Sequence, residues 1–192
     1  MSDLTRSFIA VLLQPEIKRG IYQSTASLYQ LPLDIKWVEE ENYHFTLKFF
    51  GSLTQEEIEK VKTFLEAFTA AIKPFYLQCG ELMVFPNWRS PRVLSLSLKG
   101  EIKILQGLWH NIETGLADIG FLEEKRKRFN PHITLGRFRS GNDALEKMIR
   151  ERAGHIPDEK FLVQELYLMA SKLTPEGPEY TALARYPFQV KE

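Results

Sequence analysis

Two of the four histidines in this sequence stand in nearly the same short motif. Asn-Tyr-His-Phe-Thr-Leu at residues 42–47 is matched by Asn-Pro-His-Ile-Thr-Leu at residues 130–135. At ordinary residue frequencies, x-Thr-Leu follows a given histidine by chance only about one time in 200. A single such histidine would most simply be a hydrogen-bonded structural residue. The duplication therefore indicates that both copies serve one site.

Each motif lies in an apolar, β-branched and aromatic run that predicts a strand. Residues i and i+2 of a strand share a face, so His44 stands beside Thr46, and His132 beside Thr134. Imidazole titrates near neutral pH, and two imidazoles flanking a cleft suit concerted general acid and base catalysis. A phosphodiester undergoing in-line displacement needs one proton removed, one delivered, and donors for its oxygens. This chemistry requires no metal ion.

Length and composition predict one soluble globular domain over residues 1–192. The 25 basic and 25 acidic side chains cancel, so no overall charge draws the whole molecule to nucleic acid or to a membrane. Cys79 is the only cysteine, which excludes an internal disulfide framework and a cysteine metal cluster. The apolar run Phe8 to Leu13 is far too short to span a membrane. We therefore expect a cytoplasmic protein.

Hydrophobic periodicity predicts the elements that position the two motifs. Besides the motif strands, strands are expected at residues 8–13, 35–38, 75–85, 92–98, 161–170 and from 178 onward. Helices are expected after Pro15, after a Thr54 to Glu57 capping box, from Ile102 to near Gly120, and around Leu145 with Asn142 or Asp143 as its cap.

The order strand, helix, strand, strand occurs twice, over about residues 42–98 and 130–187. This repeat predicts a bilobal α+β fold in which two lobes share one core and are related by an approximate two-fold axis. Each lobe would contain a mostly antiparallel sheet, with the helices outside. The two histidine strands would then face each other across a central cleft.

The paired His-x-Thr-hydrophobic motifs resemble those of the 2H phosphoesterase superfamily, in particular its RNA 2′,3′-cyclic phosphodiesterases, also called 2′-5′ RNA ligases. Blocks that resemble this branch follow one another in order at residues 6–11, 43–51, 92–94, 129–137 and 177–180. The resemblance implies a bilobal α+β enzyme without metal or cofactor. It also implies opening of a 2′,3′-cyclic phosphate on RNA to a 2′-phosphomonoester and, in some members, reversible joining of RNA ends.

By the same resemblance, one motif histidine protonates the departing 3′ oxygen and the other activates water. We assign His44 as the acid and His132 as the base. Thr46, Thr134 and Arg137 would bind the phosphate. Strict strand alternation turns Arg137 away from His132, but a bulge at Gly136 would bring it back. A surface ion pair is the alternative role for Arg137. The expected partner is RNA, bound by a monomer.

Further residues are weaker candidates for substrate binding. Trp88 and Arg92, near a turn, would stack on or contact nucleotides, with packing as the alternative. The family often has an aromatic residue where this chain has Ser95, so the stacking contact expected there is either missing or supplied by Trp88 or Tyr180. A basic run would hold the RNA backbone, although such loops are commonly only solvated; it consists of Lys125, Arg126, Lys127 and Arg128.

Other functions compete with hydrolysis of an RNA end. The same cleft would suit another small cyclic nucleotide, such as ADP-ribose 1″,2″-cyclic phosphate, or a 2′-5′ oligoadenylate. A nucleotide-binding module without chemistry is a second alternative, against which the two intact motifs argue. A zinc site built from His44 and His132 is a third, but no further ligand is suitably spaced and threonine is a poor one.

Overall fold

The computed structural model describes residues 4–124, 129–139, 145–156, 158–174 and 178–189. The strands are β1 (Thr5–Leu12), β2 (Ile35–Trp37), β3 (His44–Leu53), β4 (Phe75–Phe85), β5 (Val93–Gly100), β6 (His132–Phe138), β7 (Lys160–Val163), β8 (Glu165–Leu173) and β9 (Pro178–Pro187). The α-helices are α1 (Pro15–Thr25), α2 (Gln55–Thr69), α3 (Ile102–Asp118) and α4 (Leu145–Arg152). Both histidine motifs begin a strand, as their alternation predicts.

The strands form one antiparallel sheet in the order β7-β4-β5-β6-β3-β1-β8-β9, with β2 added beside β6. The two histidine strands, β3 and β6, are neighbours in the middle of this order. Their pairing, in the part of the chain described, joins Phe45 to Ile133 and extends no further. The α+β architecture with antiparallel sheets is therefore confirmed, and its two halves are joined at a short seam rather than forming separate sheets.

Helices α2 and α3 lie against the sheet because each has one apolar face. Ile58, Val61 and Leu65 of α2 are buried, and so are Leu105 and Ile112 of α3. All belong to one hydrophobic cluster that also contains the inward-facing residues of the strands. The seam strands are thus supported from behind by packed helices.

The capping box at the start of α2 forms as the sequence predicts. The Glu57 amide donates to the Thr54 hydroxyl over 3.2 Å, and the Thr54 amide donates to the Glu57 carboxylate over 2.8 Å. A cap of this kind stabilises a helix by about 1 kcal/mol. It fixes where α2 begins, directly after the strand that carries His44. The caps expected for α4, Asn142 and Asp143, lie outside the described residues.

The sequence predicts a single strand over residues 161–170. This prediction is wrong, because the structure has two strands there. The strand is interrupted at Gln164, whose carbonyl accepts a hydrogen bond from the Phe188 amide over 2.7 Å. β7 then pairs with β4, whereas β8 pairs with β1 and β9. The two parts consequently lie in opposite halves of the sheet order, which a continuous apolar run does not reveal.

Candidate active site

A cavity of about 680 Å³ lies against the two seam strands. Its lining includes His44 and Thr46 from β3 and His132 and Thr134 from β6. All four motif side chains therefore face the same space, although their strands belong to different halves of the sheet. This juxtaposition is what the duplicated motif predicts.

Both imidazoles are held in the same way. His44 Nδ1 lies 2.7 Å from the Asn42 carbonyl oxygen, and His132 Nδ1 lies 2.9 Å from the Asn130 carbonyl oxygen. A carbonyl only accepts hydrogen bonds, so each Nδ1 carries a proton whether the ring is neutral or charged. Each histidine therefore gains and loses its proton at Nε2, which is the arrangement that a general acid or base requires.

Arg137 lines the cavity because β6 contains a bulge. The register of β6 against β5 passes directly from Gly136 to Thr134, which leaves Leu135 as the extra residue. The extra residue reverses the alternation, so Arg137 returns to the face of Thr134. The sequence predicts a bulge at Gly136, but the extra residue is Leu135, one position earlier. Gly136 serves a different purpose, since a Cβ there would come within 2.5 Å of Ile35 Cγ2 on the adjacent β2.

Strand β3 has the matching irregularity. Its register against β1 passes from Lys48 to Thr46 and leaves Leu47 as the extra residue. Phe49 consequently lines the cavity beside Thr46, in the position that Arg137 occupies beside its own threonine. Phe49 is 59% exposed, so much of its ring is accessible from the cavity and solvent. The two half-sites thus present a cation on one side and an aromatic ring on the other.

His44 lies among aromatic rings. Its ring centroid is 5.3 Å from that of Phe8 and 5.3 Å from that of Tyr180, which stands edge-on to it. Burial lowers the pKa of His44 because the charged ring loses hydration, and the neighbouring charges of Lys18, His132 and Arg137 lower it further. The hydrogen bond to the Asn42 carbonyl acts in the opposite direction. The neutral imidazole is favoured in the free protein.

His132 has its own aromatic neighbours on the other side of the cavity. Its ring centroid is 4.6 Å from that of Phe85. Close by in sequence, Phe129 stacks on Trp109 of helix α3 with ring centroids 5.1 Å apart and an interplanar angle of 2°. These three aromatic residues all line the cavity. The space around each imidazole is therefore bounded by flat apolar surfaces, on which bases or ribose rings can pack.

The weaker sequence candidates have different positions. Tyr180 lines the cavity, as expected. Trp88 and Arg92 are not part of the lining that the described residues form. The ring of Trp88 packs on the core, with the Arg150 guanidinium 5.2 Å from its centroid. This geometry favours the packing alternative for Trp88. Lys125, Arg126, Lys127 and Arg128 lie outside the described residues, so their expected contact with RNA stays a prediction.

Sequence reasoning missed several aromatic residues of the cavity: Trp37, Phe49, Phe85, Trp109 and Phe129. Phe49 had a usable signal, because it follows His44 at the same distance as Arg137 follows His132. The others carry no local signal, since they come from different elements that only the tertiary fold brings together.

Two further observations on the described residues concern membrane-spanning helices and metal sites. None of their helices is both long and apolar enough to cross a lipid bilayer. Within the same ranges, no three side chains of His, Cys, Asp or Glu are grouped so that they could hold a metal ion.

Comparison with protein families gives a match over most of the chain. The family described as LigT like Phosphoesterase matches residues 11–95 and 101–180, and both histidine motifs lie inside these ranges. An RNA 2′,3′-cyclic phosphodiesterase of Methanothermobacter thermautotrophicus is 30% identical over 178 residues, which cover 92% of this chain and 95% of that protein. The RNA 2′,3′-cyclic phosphodiesterase of Bacillus subtilis is 30% identical over 181 residues, 93% of this chain and 94% of that one.

Solved structures share the fold along nearly the whole chain. A protein of Thermus thermophilus superposes with a TM-score of 0.79 at 24% identity, covering 95% of this chain and 97% of the other. Escherichia coli LigT, crystallised with 3′-AMP, superposes with a TM-score of 0.77 at 25% identity, covering 98% of this chain and all of that one. The likeness therefore includes every element that carries the cavity.

Proposed function

Because this chain belongs to the family of LigT-like phosphoesterases, we propose that it is an RNA 2′,3′-cyclic phosphodiesterase that produces a 2′-phosphomonoester. The observation that carries the proposal is the pair of imidazoles lining one cavity, each with Nδ1 bonded to a backbone carbonyl. The names of the relatives in Methanothermobacter and Bacillus support the substrate, at 30% identity over almost the full length.

The proposed reaction is an in-line displacement at phosphorus. His132 Nε2 removes a proton from water as the water oxygen bonds to phosphorus. The bond between phosphorus and the 3′ oxygen breaks on the opposite side, and His44 Nε2 delivers a proton to that oxygen. The product carries a 2′-phosphate and a 3′-hydroxyl. A positioned acid or base of this kind contributes about 10²- to 10⁴-fold to the rate.

The phosphate would be held between the two motifs. The hydroxyls of Thr46 and Thr134 share the cavity with both imidazoles and would donate to the non-bridging oxygens as negative charge develops. Arg137 adds a permanent positive charge on the His132 side. Donors fixed by strands need little reorganisation during the reaction, which is the source of their effect.

The lowered pKa of His44 is compatible with its role as the acid. Burial keeps the imidazole of the free protein mainly neutral near pH 7. A bound cyclic phosphate brings a negative charge into the same cavity, and an adjacent opposite charge favours the protonated ring. We propose that substrate binding itself charges His44, which prepares the proton that the 3′ oxygen needs.

The test is incubation with a short RNA that ends in a 2′,3′-cyclic phosphate, in the presence of EDTA, followed by identification of the product phosphate. We expect the 2′-phosphate. Recovery of the 3′-phosphate would overturn the leaving-group assignment. Turnover of a cyclic mononucleotide without turnover of RNA would instead favour a small cyclic nucleotide as substrate.

The proposal needs only one copy of the chain, because both motifs and Arg137 line a cavity within it. We therefore propose a monomeric enzyme acting on RNA ends in the cytoplasm. Joining of 2′-5′ ends would be the same displacement with the 5′-hydroxyl of a second RNA in place of water. Its oxygen bonds to phosphorus and its proton passes to His132, while the bond to the 3′ oxygen breaks as that oxygen takes a proton from His44. The molecular mass of the active protein, measured by analytical sedimentation, tests whether it is a monomer.

A further inference from the structure

Lys48 is a buried lysine on the strand that carries His44. It lies between Leu47 and Phe49, which both line the cavity, but its own side chain is directed to helix α3. There its Nζ lies 2.6 Å from Glu113 Oε2. Lys48 and Glu113 are each 5% exposed. Lysine and glutamate are almost never buried to this extent unless they are paired.

The pair also holds a segment of backbone. Lys48 Nζ donates to the Leu122 carbonyl over 2.7 Å, and Glu113 Oε2 accepts from the Glu124 amide over 2.8 Å. Glu124 lines the cavity. One buried ion pair thus fixes two backbone groups at residues 122–124, the segment that brings Glu124 into the cavity lining, and it does so from the strand that carries His44.

Helix α3 extends this connection to the other half of the site. Trp109 lies one helical turn before Glu113 and stacks on Phe129, which comes three residues before His132. Both aromatic rings line the cavity. The pair therefore connects β3, through α3, to the stacked rings of Trp109 and Phe129 near His132.

Stability alone is a poor explanation for this pair. Removing two charges from water costs several kcal/mol per ion, and apolar residues of similar size often replace such pairs without loss. In addition, Glu113 Oε1 is buried and has no hydrogen-bond partner among the residues described. An incompletely satisfied buried carboxylate is more readily explained by the geometry that it imposes.

We propose that Lys48 and Glu113 are a positioning pair, which sets the distance between the His44 strand and the part of the cavity wall that Glu124 and Trp109 form. The proposal rests on the proposed function, because the wall would bind the nucleotide of a cyclic phosphate substrate. Neither residue touches the reacting phosphate. The pair acts by holding the wall where the nucleoside packs.

The test replaces the pair by apolar residues of similar size, Lys48→Met with Glu113→Leu. We expect the double variant to keep a melting temperature near that of the wild type. Its KM for a dinucleotide 2′,3′-cyclic phosphate should rise about 10-fold with kcat within about 3-fold, because a displaced wall binds the nucleoside less tightly in the ground state and the transition state alike. Lys60→Met with Glu56→Leu, which removes an exposed pair of 2.8 Å on α2, is the matched control and should change neither constant.

A pair that only stabilised the fold would lower the melting temperature and the active fraction, and so the apparent kcat, without changing KM. An unchanged KM in the folded double variant would overturn the proposal. Should the double variant not fold, Lys48→Gln with Glu113→Gln gives the same readout, since it removes both charges and leaves no unpaired ion buried. Should the wild type not hydrolyse cyclic phosphates, the proposed function fails, and calorimetry with 3′-AMP decides this inference. A 10-fold weaker affinity of the double variant would support it, and an equal affinity would overturn it.

Discussion

The two histidine strands share a scaffold and differ in what they present. In β3 and in β6 the motif is followed by a bulged leucine, and the fifth residue after the histidine faces the cavity. That residue is Phe49 in one strand and Arg137 in the other. The residue before it is the buried Lys48 in β3 and Gly136 in β6. A duplicated backbone has thus placed a cation on one side of the site and an aromatic surface on the other.

The two imidazoles also differ, in the aromatic residues that surround them. His44 is enclosed by Phe8 and Tyr180, and burial lowers its pKa. His132 packs instead against Phe85, on the opposite side of the cavity. Equal motifs can therefore hold imidazoles in unequal surroundings. Burial favours the neutral form of His44, so the acid role proposed for it depends on the negative charge of the bound substrate. The comparison teaches that the repeat supplies the positions, whereas the neighbours determine the roles.

The largest effect is expected from the feature that the two halves share. His44→Ala and His132→Ala should each lower kcat about 10²- to 10⁴-fold on an RNA 2′,3′-cyclic phosphate, since each removes one proton-transfer group. The circular dichroism spectrum of each variant should stay near that of the wild type. His110→Ala, on the exposed side of α3, is the control and should keep full activity. A motif variant with near-native turnover would break the symmetry on which the account depends.

The difference between the halves predicts unequal effects at the two equivalent positions. Arg137→Ala should lower kcat/KM about 10²- to 10³-fold, because it removes a charge that stabilises the developing negative charge. Phe49→Ala should act mainly on KM, by about 10-fold, because loss of one stacking surface weakens nucleotide binding. Steady-state kinetics on one dinucleotide substrate compares them. If both variants change the same constant to the same degree, the two positions do not have different roles.

The threonines test whether the halves also act alike. Thr46→Ala and Thr134→Ala should each lower kcat about 10- to 10³-fold, as expected for loss of one donor to the phosphate oxygens. The two losses should agree within about 5-fold if the hydroxyls have equivalent roles. Replacement by serine, which keeps the hydroxyl, should restore most of the rate. A loss that serine does not rescue would indicate a packing role for the methyl group.

The environment of His44 predicts the smallest effect, a change in titration. The pKa of His44 is lowered by burial, so in the free protein its imidazole should take up a proton only below about pH 6.5, the ordinary value. Adding inorganic phosphate should raise this pKa, because an anion favours the charged ring. Imidazole NMR signals measured with and without phosphate report both values. A His44 that titrates at or above the ordinary value without phosphate would contradict the account.

The sequence predicted the parts of the site that depend on local pattern. Alternation along a strand is sufficient to place His44 with Thr46, and His132 with Thr134, and the capping box locates the start of α2. The antiparallel α+β architecture followed from the repeated order of elements. These features need only residues close together in the chain.

The missing parts depend on distant strands. The bulge lies at Leu135 rather than at Gly136 because the register with β5 determines which residue is extra. The equivalent bulge at Leu47 is set by β1, and without it Phe49 would be assigned to the wrong face. The burial of Lys48 was also unexpected, since its partner Glu113 lies on a helix far along the chain. No local pattern contains this information.

The central claim is that His44 and His132 form one acid and base pair acting on one phosphate, and a double-mutant cycle tests it most directly. Turnover of an RNA 2′,3′-cyclic phosphate is measured for wild type, His44→Ala, His132→Ala and the double variant. Groups that act on one transition state are not independent, so the double variant should lose less than the product of the two single losses. A fully multiplicative loss would show that the two histidines act separately, and it would contradict the account.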